Sequence, residues 1–100
     1  MELAKGKYLE YKDRPLVREG DTICYGDKNE KCYLCLDILS YKEDEVTGEK
    51  IPDKIYIQII DSKDPQNFLK TGEKSSLYEA FTLGLIWLER ELNVNLTKPN

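Results

Sequence analysis

The stretch CYLCLDILSY, residues 32–41, decides the fold, because two kinds of side chain alternate along it. In an extended strand, successive side chains point to opposite faces of the sheet. One face then carries Cys32, Leu34, Leu36 and Ile38, and the other carries Tyr33, Cys35, Asp37, Leu39 and Tyr41. In the segment KIYIQIID, residues 54–61, Ile55, Ile57 and Ile59 alternate in the same way with Tyr56, Gln58 and Ile60. We therefore predict two strands that share an aliphatic face and a mixed, tyrosine-rich face.

A period near two continues through most of the first sixty residues, and short turns interrupt it. The candidate strands are residues 7–11, 15–18, 22–25, 32–41 and 54–61. The turns between them, such as Lys12-Asp13 and Gly26-Asp27-Lys28-Asn29, are too short to hold crossover helices. The sequence therefore predicts an antiparallel meander of about five strands over residues 6–62, curved or barrel-like.

The remaining residues predict a linker and a C-terminal helix. Residues 63–74 form the linker with a possible short helix, since Asp64-Pro65 and Gly72 resemble a helix start and end. Ser76 and Glu79 form a capping box before a run of apolar residues at three- and four-residue spacing. We expect a helix over residues 76–92, packed on the aliphatic face, and a frayed tail over residues 93–100. The result is a single α+β domain of residues 1–100.

Composition excludes several classes of function. The chain has no histidine, so a Ser-His-Asp or Cys-His nucleophile and a His-ligated zinc are excluded. No glycine-rich phosphate loop occurs, and the net charge of −4 opposes binding to polyphosphate or to an anionic membrane. The acidic cluster Glu43-Asp44-Glu45 is typical of a solvated turn rather than of a calcium loop. We therefore predict no catalytic residue, no metal and no cofactor.

The pair Cys32 and Cys35 has the Cys-x-x-Cys spacing of zinc and redox sites. Because residues three apart in a strand lie on opposite faces, these two cysteines cannot share a metal or a disulfide. We interpret them as buried or half-buried thiols, with Cys24 as the third cysteine. The first residues contain no apolar run, so we expect no signal peptide, no membrane span and a cytoplasmic location whose reducing conditions preserve thiols.

Asp37 is unusual because it interrupts an apolar strand. If its face is covered, its carboxylate needs a donor such as Arg14, Arg18 or a tyrosine hydroxyl. If its face is open, Asp37 is an ordinary outward residue, which is the interpretation that we favour.

Two apolar surfaces suggest a binding role. Tyr33 and Tyr56 lie on the mixed face of the sheet, and Leu83, Ile86 and Trp87 extend the apolar part of the helix beyond one stripe. The alternatives are that the first strands fold over the tyrosines, or that residues 64–72 cover the helix. The leading hypothesis is a non-enzymatic protein-interaction module or small adaptor, which forms a homodimer or binds another protein.

Two further hypotheses belong to other classes. The chain could bind a small ligand or a nucleic acid through basic residues interleaved with tyrosines. The basic residues are Lys7, Lys12, Arg14 and Arg18, and the tyrosines are Tyr8, Tyr11 and Tyr25. The acidic net charge makes nucleic acid an unfavourable partner. An enzyme that uses paired carboxylates or a thiol is the third hypothesis.

Most of the chain also resembles a known group of proteins. The residues that carry the resemblance are Lys7-Tyr8-Leu9-Glu10-Tyr11-Lys12, Arg14-Pro15-Leu16-Val17-Arg18, Thr22-Ile23, Tyr25-Gly26-Asp27 and Ile86-Trp87-Leu88-Glu89. In these segments the chain resembles short uncharacterised bacterial proteins of anaerobic Gram-positive organisms. That group has no assigned activity, so the resemblance implies a bacterial cytoplasmic setting and transfers no catalytic residue.

Overall fold

The protein folds as one antiparallel sheet with one helix, and this computed structural model describes the backbone of residues 8–97 and the side chains of residues 11–93. The elements are β1 (Tyr8–Tyr11), β2 (Arg14–Glu19), β3 (Thr22–Tyr25), β4 (Cys32–Glu43), β5 (Lys50–Asp61), β6 (Asp64–Lys74) and α1 (Leu77–Thr97). The strands lie in the order β1-β2-β3-β4-β5-β6, and each pairs antiparallel with the next. The predicted α+β meander with a C-terminal helix is therefore confirmed.

The sheet is open rather than closed into a barrel. β1 and β6 are its two edges, and neither pairs with the other in the described part of the chain. The two-residue turn Lys12-Asp13 joins β1 to β2, and both of its residues have positive φ values, 51° and 67°. Two consecutive positive φ values are typical of the turns that join tightly twisted antiparallel strands. A loop after β4 is closed by Asp44, whose carboxylate accepts hydrogen bonds from the backbone and the hydroxyl of Thr47.

The prediction of a linker with a short helix over residues 63–74 is wrong, because this segment is the strand β6. Asp64 does accept a hydrogen bond from the backbone nitrogen of Gln66, but both residues lie at the start of β6 and not in a helix. A bulge between β5 and β6 pairs Ile59 with Lys70 and Ile60 with Phe68, which breaks the period of two. Pro65 is tolerated because β6 is an edge strand.

The helix begins as predicted and ends later than predicted. The hydroxyl of Ser76 accepts a hydrogen bond from the backbone nitrogen of Glu79 at 3.1 Å, which is the expected N-cap. Helical backbone continues through Thr97, so the predicted end at residue 92 is wrong, and the predicted fraying of residues 93–100 stays a prediction. The amide of Asn93 donates to the carbonyl oxygen of Glu89, which accommodates this polar residue in the last turns. Residues 98–100 lie outside the described residues. No helix within residues 8–97 is both long enough and apolar enough to cross a membrane.

The core lies between the helix and the aliphatic face of β4 and β5. Its fully buried members include Leu34, Leu36, Ile55, Ile57, Ile59, Ala80 and Leu88. Gly84 brings the helix close to the sheet, because a Cβ atom there would lie 2.6 Å from Cδ1 of Leu34. The alternation in residues 32–41 and 54–61 thus correctly identifies the face that the helix covers.

Candidate functional site

The face of the sheet opposite the helix is not covered by any other element in the described part of the chain, and we call it the open face. Strand pairing arranges its side chains in three rows that run across the strands. The apolar row is Tyr33, Ile60 and Phe68. The central row is Val17, Cys24, Cys35, Gln58 and Thr71, and the acidic row is Glu19, Thr22, Asp37, Tyr56 and Glu73.

The apolar row combines a buried centre with an exposed end. Ile60 is 7% exposed, whereas Phe68 on the edge strand is 46% exposed. Tyr33 is half-buried and packs on the backbone of Gly26, where a Cβ atom would lie only 2.8 Å from Cβ of Tyr33. Gly26 also has a φ of 133°, so this position requires glycine for two reasons. The start of β4 at Tyr33 therefore lies in close contact with the backbone that follows β3.

The central row contains a disulfide bond between Cys24 and Cys35. The two residues are direct partners in the pairing of β3 with β4, and their Cα atoms lie 4.1 Å apart. Our interpretation of both as free thiols is therefore wrong, although Cys32 and Cys35 do lie on opposite faces as predicted. Cys24 lies opposite Cys35 because the β3–β4 hairpin is centred on residues 26–33. The sequence pattern alone did not determine this register.

Asp37 lies on the open face and is half-buried. It accepts a hydrogen bond from the hydroxyl of Thr22 at 2.7 Å and another from the side-chain amide of Gln58 at 2.6 Å. These donors stand on the neighbouring strands β3 and β5, so neither arginine nor a tyrosine hydroxyl is needed. The interpretation of Asp37 as a residue of an open face agrees with this placement, and the carboxylate links three strands.

A groove lies on the open face beside the disulfide. Its volume is about 410 Å³, and it is lined by Pro15, Val17, Glu19, Cys24, Tyr25, Gly26, Lys28, Tyr33 and Cys35. The amino group of Lys28 lies 5.9 Å from the centre of the Tyr33 ring. The groove thus combines an apolar wall, one positive charge, one negative charge and a sulfur–sulfur bond.

Cys32 differs from the other two cysteines in its bonding and in the face of the sheet on which it lies. It lies on the helix side of the sheet, is 0% exposed and is not bonded to another cysteine. Burial raises the pKa of its thiol to about 11. Cys32 is therefore a thiol of the core without the depressed pKa of a nucleophile.

The helix residues that we predicted as an interface are divided by the structure. Leu83 and Trp87 are half-buried and pack against the core of their own chain. The indole of Trp87 lies over Gly72, and the amino group of Lys70 lies 5.1 Å from its centre. Ile86 alone of the three points outward, at 44% exposure. The strand β6 therefore covers much of the surface that we predicted to be surplus.

The predicted basic set is only partly available for binding. Arg14 forms ion pairs with Glu30 at 2.8 Å and with Glu89 at 2.9 Å, and the hydrogen bond that its guanidinium donates to Glu30 raises its pKa. Lys12 lies 5.4 Å above the ring of Tyr11, and Arg18 donates to the carbonyl oxygen of Gly20. Lys7 lies outside the described residues.

The tyrosines of the same set are no better placed to stack on a base. Tyr25 is 1% exposed, and its hydroxyl donates to the carbonyl oxygen of Tyr11. Tyr8 belongs to β1, but its side chain lies outside the described ones.

Among the described residues no group of three or more acidic or cysteine side chains could hold a metal ion. Comparisons with protein-family models, with curated proteins and with solved structures found no match for this chain. Function is therefore inferred from the geometry of the open face.

Proposed function

We propose that this protein is a non-enzymatic interaction module that forms a homodimer through its open face. The supporting observation is that the one helix packs on one side of a six-stranded sheet, over β4, β5 and β6, while the other side carries half-buried and exposed aromatic rings. Six strands spaced by about 4.8 Å give a face about 24 Å wide. A face of this width is compatible with the roughly 800 Å² per partner that a standard interface buries.

A second copy of the chain fits the charge pattern of this face. The apolar row of Tyr33, Ile60 and Phe68 lies at one end, and the acidic row with Asp37 and Glu73 lies towards the other. A two-fold axis along the central row packs the apolar row of each copy on the acidic row of the other and places the two acidic rows at opposite ends of the interface. Association then buries the aromatic anchors without bringing like charges together.

Two matched variants separate this proposal from association through the helix. Phe68 and Ile86 are 46% and 44% exposed, and they lie on opposite sides of the molecule. We expect the wild type to have the mass of a dimer in light scattering at micromolar concentration. Phe68→Glu should be a monomer, and Ile86→Glu should remain a dimer. A monomeric wild type overturns the proposal, and dissociation by Ile86→Glu alone assigns the interface to the helix instead.

The alternative of a small-ligand or nucleic-acid binder receives less support. Arg14 is neutralised by Glu30 and Glu89, and Tyr25 is enclosed by the rings of Tyr11 and Phe81. The net charge of −4 adds to this difficulty. Salt-sensitive retention of the protein on heparin would favour this alternative. A bacterial cytoplasmic location also stays a prediction from the sequence.

A further inference from the structure

The disulfide of the open face is accessible from one side. Cys24 and Cys35 are direct cross-strand partners. Cys35 is 5% exposed, whereas Cys24 is half-buried. Solvent therefore reaches Cys24 more readily than Cys35.

The groove beside this bond is large enough for a small thiol compound. Its volume of about 410 Å³ is lined by both cysteines, together with Val17, Tyr33 and Lys28. Pockets that bind small molecules generally measure about 300–1,000 Å³. The amino group of Lys28 near the Tyr33 ring attracts an anion, and Glu19 at the lining opposes it. The bond thus lies at a groove rather than inside the core.

We propose that the Cys24–Cys35 bond is a thiol–disulfide exchange site of the native protein, which reacts with thiols of low molecular weight. The proposal requires no opening of the sheet, because the groove itself reaches both cysteines.

The exchange proceeds in two displacements. A thiolate attacks Sγ of Cys24, forms a mixed disulfide and breaks the bond to Cys35, which leaves as a thiolate and takes a proton from water. A second thiolate attacks the small compound's sulfur in the mixed disulfide and releases Cys24. In sum, two small thiols become one small disulfide, and the protein disulfide gains two electrons and two protons. A small disulfide drives the reverse reaction.

The sheet favours the return reaction. The pairing of β3 with β4 holds residues 24 and 35 opposite each other through backbone hydrogen bonds that do not involve the sulfur atoms. Closure of the bond is therefore intramolecular. Cys32 does not compete, since it is buried on the other side of the sheet.

The kinetics of reduction test this proposal on the unmodified chain. Oxidised protein at low micromolar concentration is mixed with reduced glutathione, and the reaction is quenched with an alkylating agent at set times. Mass spectrometry then measures the fraction of reduced protein. We expect a rate proportional to glutathione concentration that rises about tenfold per pH unit below the pKa of glutathione, because the thiolate is the nucleophile. Low urea should leave the rate unchanged. A rate that saturates with glutathione and rises steeply with urea at every protein concentration shows that reduction needs unfolding, and it overturns the proposal.

Single-cysteine variants test the direction of attack. With oxidised glutathione, Cys35→Ser leaves the accessible Cys24 thiol, and Cys24→Ser leaves the buried Cys35 thiol. We expect the first to form its mixed disulfide at least about tenfold faster, and circular dichroism checks that both variants are folded. Cys32→Ala is the matched control, whose disulfide should be reduced at the wild-type rate. Equal rates for the two serine variants contradict attack at Cys24.

The exchange site does not depend on the proposed homodimer. Association through the open face covers the groove, so a dimer should slow the reduction as protein concentration rises. Reduction that is fast at every concentration rejects the dimer and retains the exchange site. Reduction that requires unfolding at every concentration rejects the exchange site and leaves the dimer to be judged by its mass.

Discussion

Replacement of Gly72 by alanine tests where the single tryptophan lies. A Cβ atom at position 72 would be 2.5 Å from Cη2 and 3.2 Å from Cζ3 of Trp87, so the indole must move outward. Overpacking of this kind costs about 1–3 kcal/mol, and removal of a strand glycine returns about 0.5–1 kcal/mol. We expect a net loss of about 1–2 kcal/mol in the free energy of unfolding. For a domain of this size the loss corresponds to roughly 5–15 °C in Tm.

Fluorescence makes the same variant informative about geometry. Trp87 is the only tryptophan in the chain, so an outward movement should shift its emission to longer wavelength. Thr71→Ala is the control, because Thr71 lies on the same strand and faces the other side; its emission should match the wild type. In a Trp87→Phe background, Gly72→Ala should lower the free energy of unfolding by less, because phenylalanine lacks the Cη2 atom that the new Cβ would contact. Unchanged emission and unchanged Tm in Gly72→Ala would refute the packing of Trp87 on Gly72.

Two further predictions concern ionisable groups. Glu30→Gln should lower the free energy of unfolding by about 1 kcal/mol, because it weakens a charge-assisted hydrogen bond from the mostly buried Arg14. Glu89→Gln should change the free energy of unfolding by less than about 0.5 kcal/mol, because the Glu89 side chain is 49% exposed. Equal losses in urea unfolding would contradict this ranking. Burial raises the pKa of the Cys32 thiol from 9.0 to about 11. Between these two pH values the folded state retains the thiol proton while the unfolded state loses it, so the free energy of unfolding falls as the pH rises from 9.0 to about 11. Urea unfolding at about pH 8 and about pH 10.5 should show an alkaline loss that is about 2 kcal/mol smaller in Cys32→Ala than in the wild type.

The sequence predicted the centre of the sheet well, for a physical reason. Residues 32–41 and 54–61 bury one face only, so apolar and other residues must alternate with a period of two. The edge strand β6 obeys a different constraint, because nine of its eleven residues are exposed and need not be apolar. Its Asp64, Pro65 and Gly72 therefore also fit the pattern of a short helix.

The site was predicted less well than the fold, because it depends on register. The tyrosine-rich face was identified from Tyr33 and Tyr56 alone. The disulfide was not, because the partner of Cys35 is fixed by how the β3–β4 hairpin closes, and a shift by one residue would place Cys24 on the opposite face. The exposed apolar area of the helix was overestimated for the same kind of reason. Trp87 packs on Gly72, which lies on β6, a strand that the sequence analysis did not predict.

The aliphatic core and the proposed interface lie on different faces of the sheet. The fully buried aliphatic residues lie on the helix side, and the open face is held instead by the disulfide and by the bonds of Asp37 to Thr22 and Gln58. A disulfide that closes a loop of 11 residues contributes about 3 kcal/mol, which falls to zero when the bond is reduced. Exchange at Cys24 would therefore loosen β3 and β4 at the centre of the proposed interface while the aliphatic core stays intact. Because of this division, Phe68→Glu can remove association without unfolding the protein, and the redox state of one bond can change the same surface.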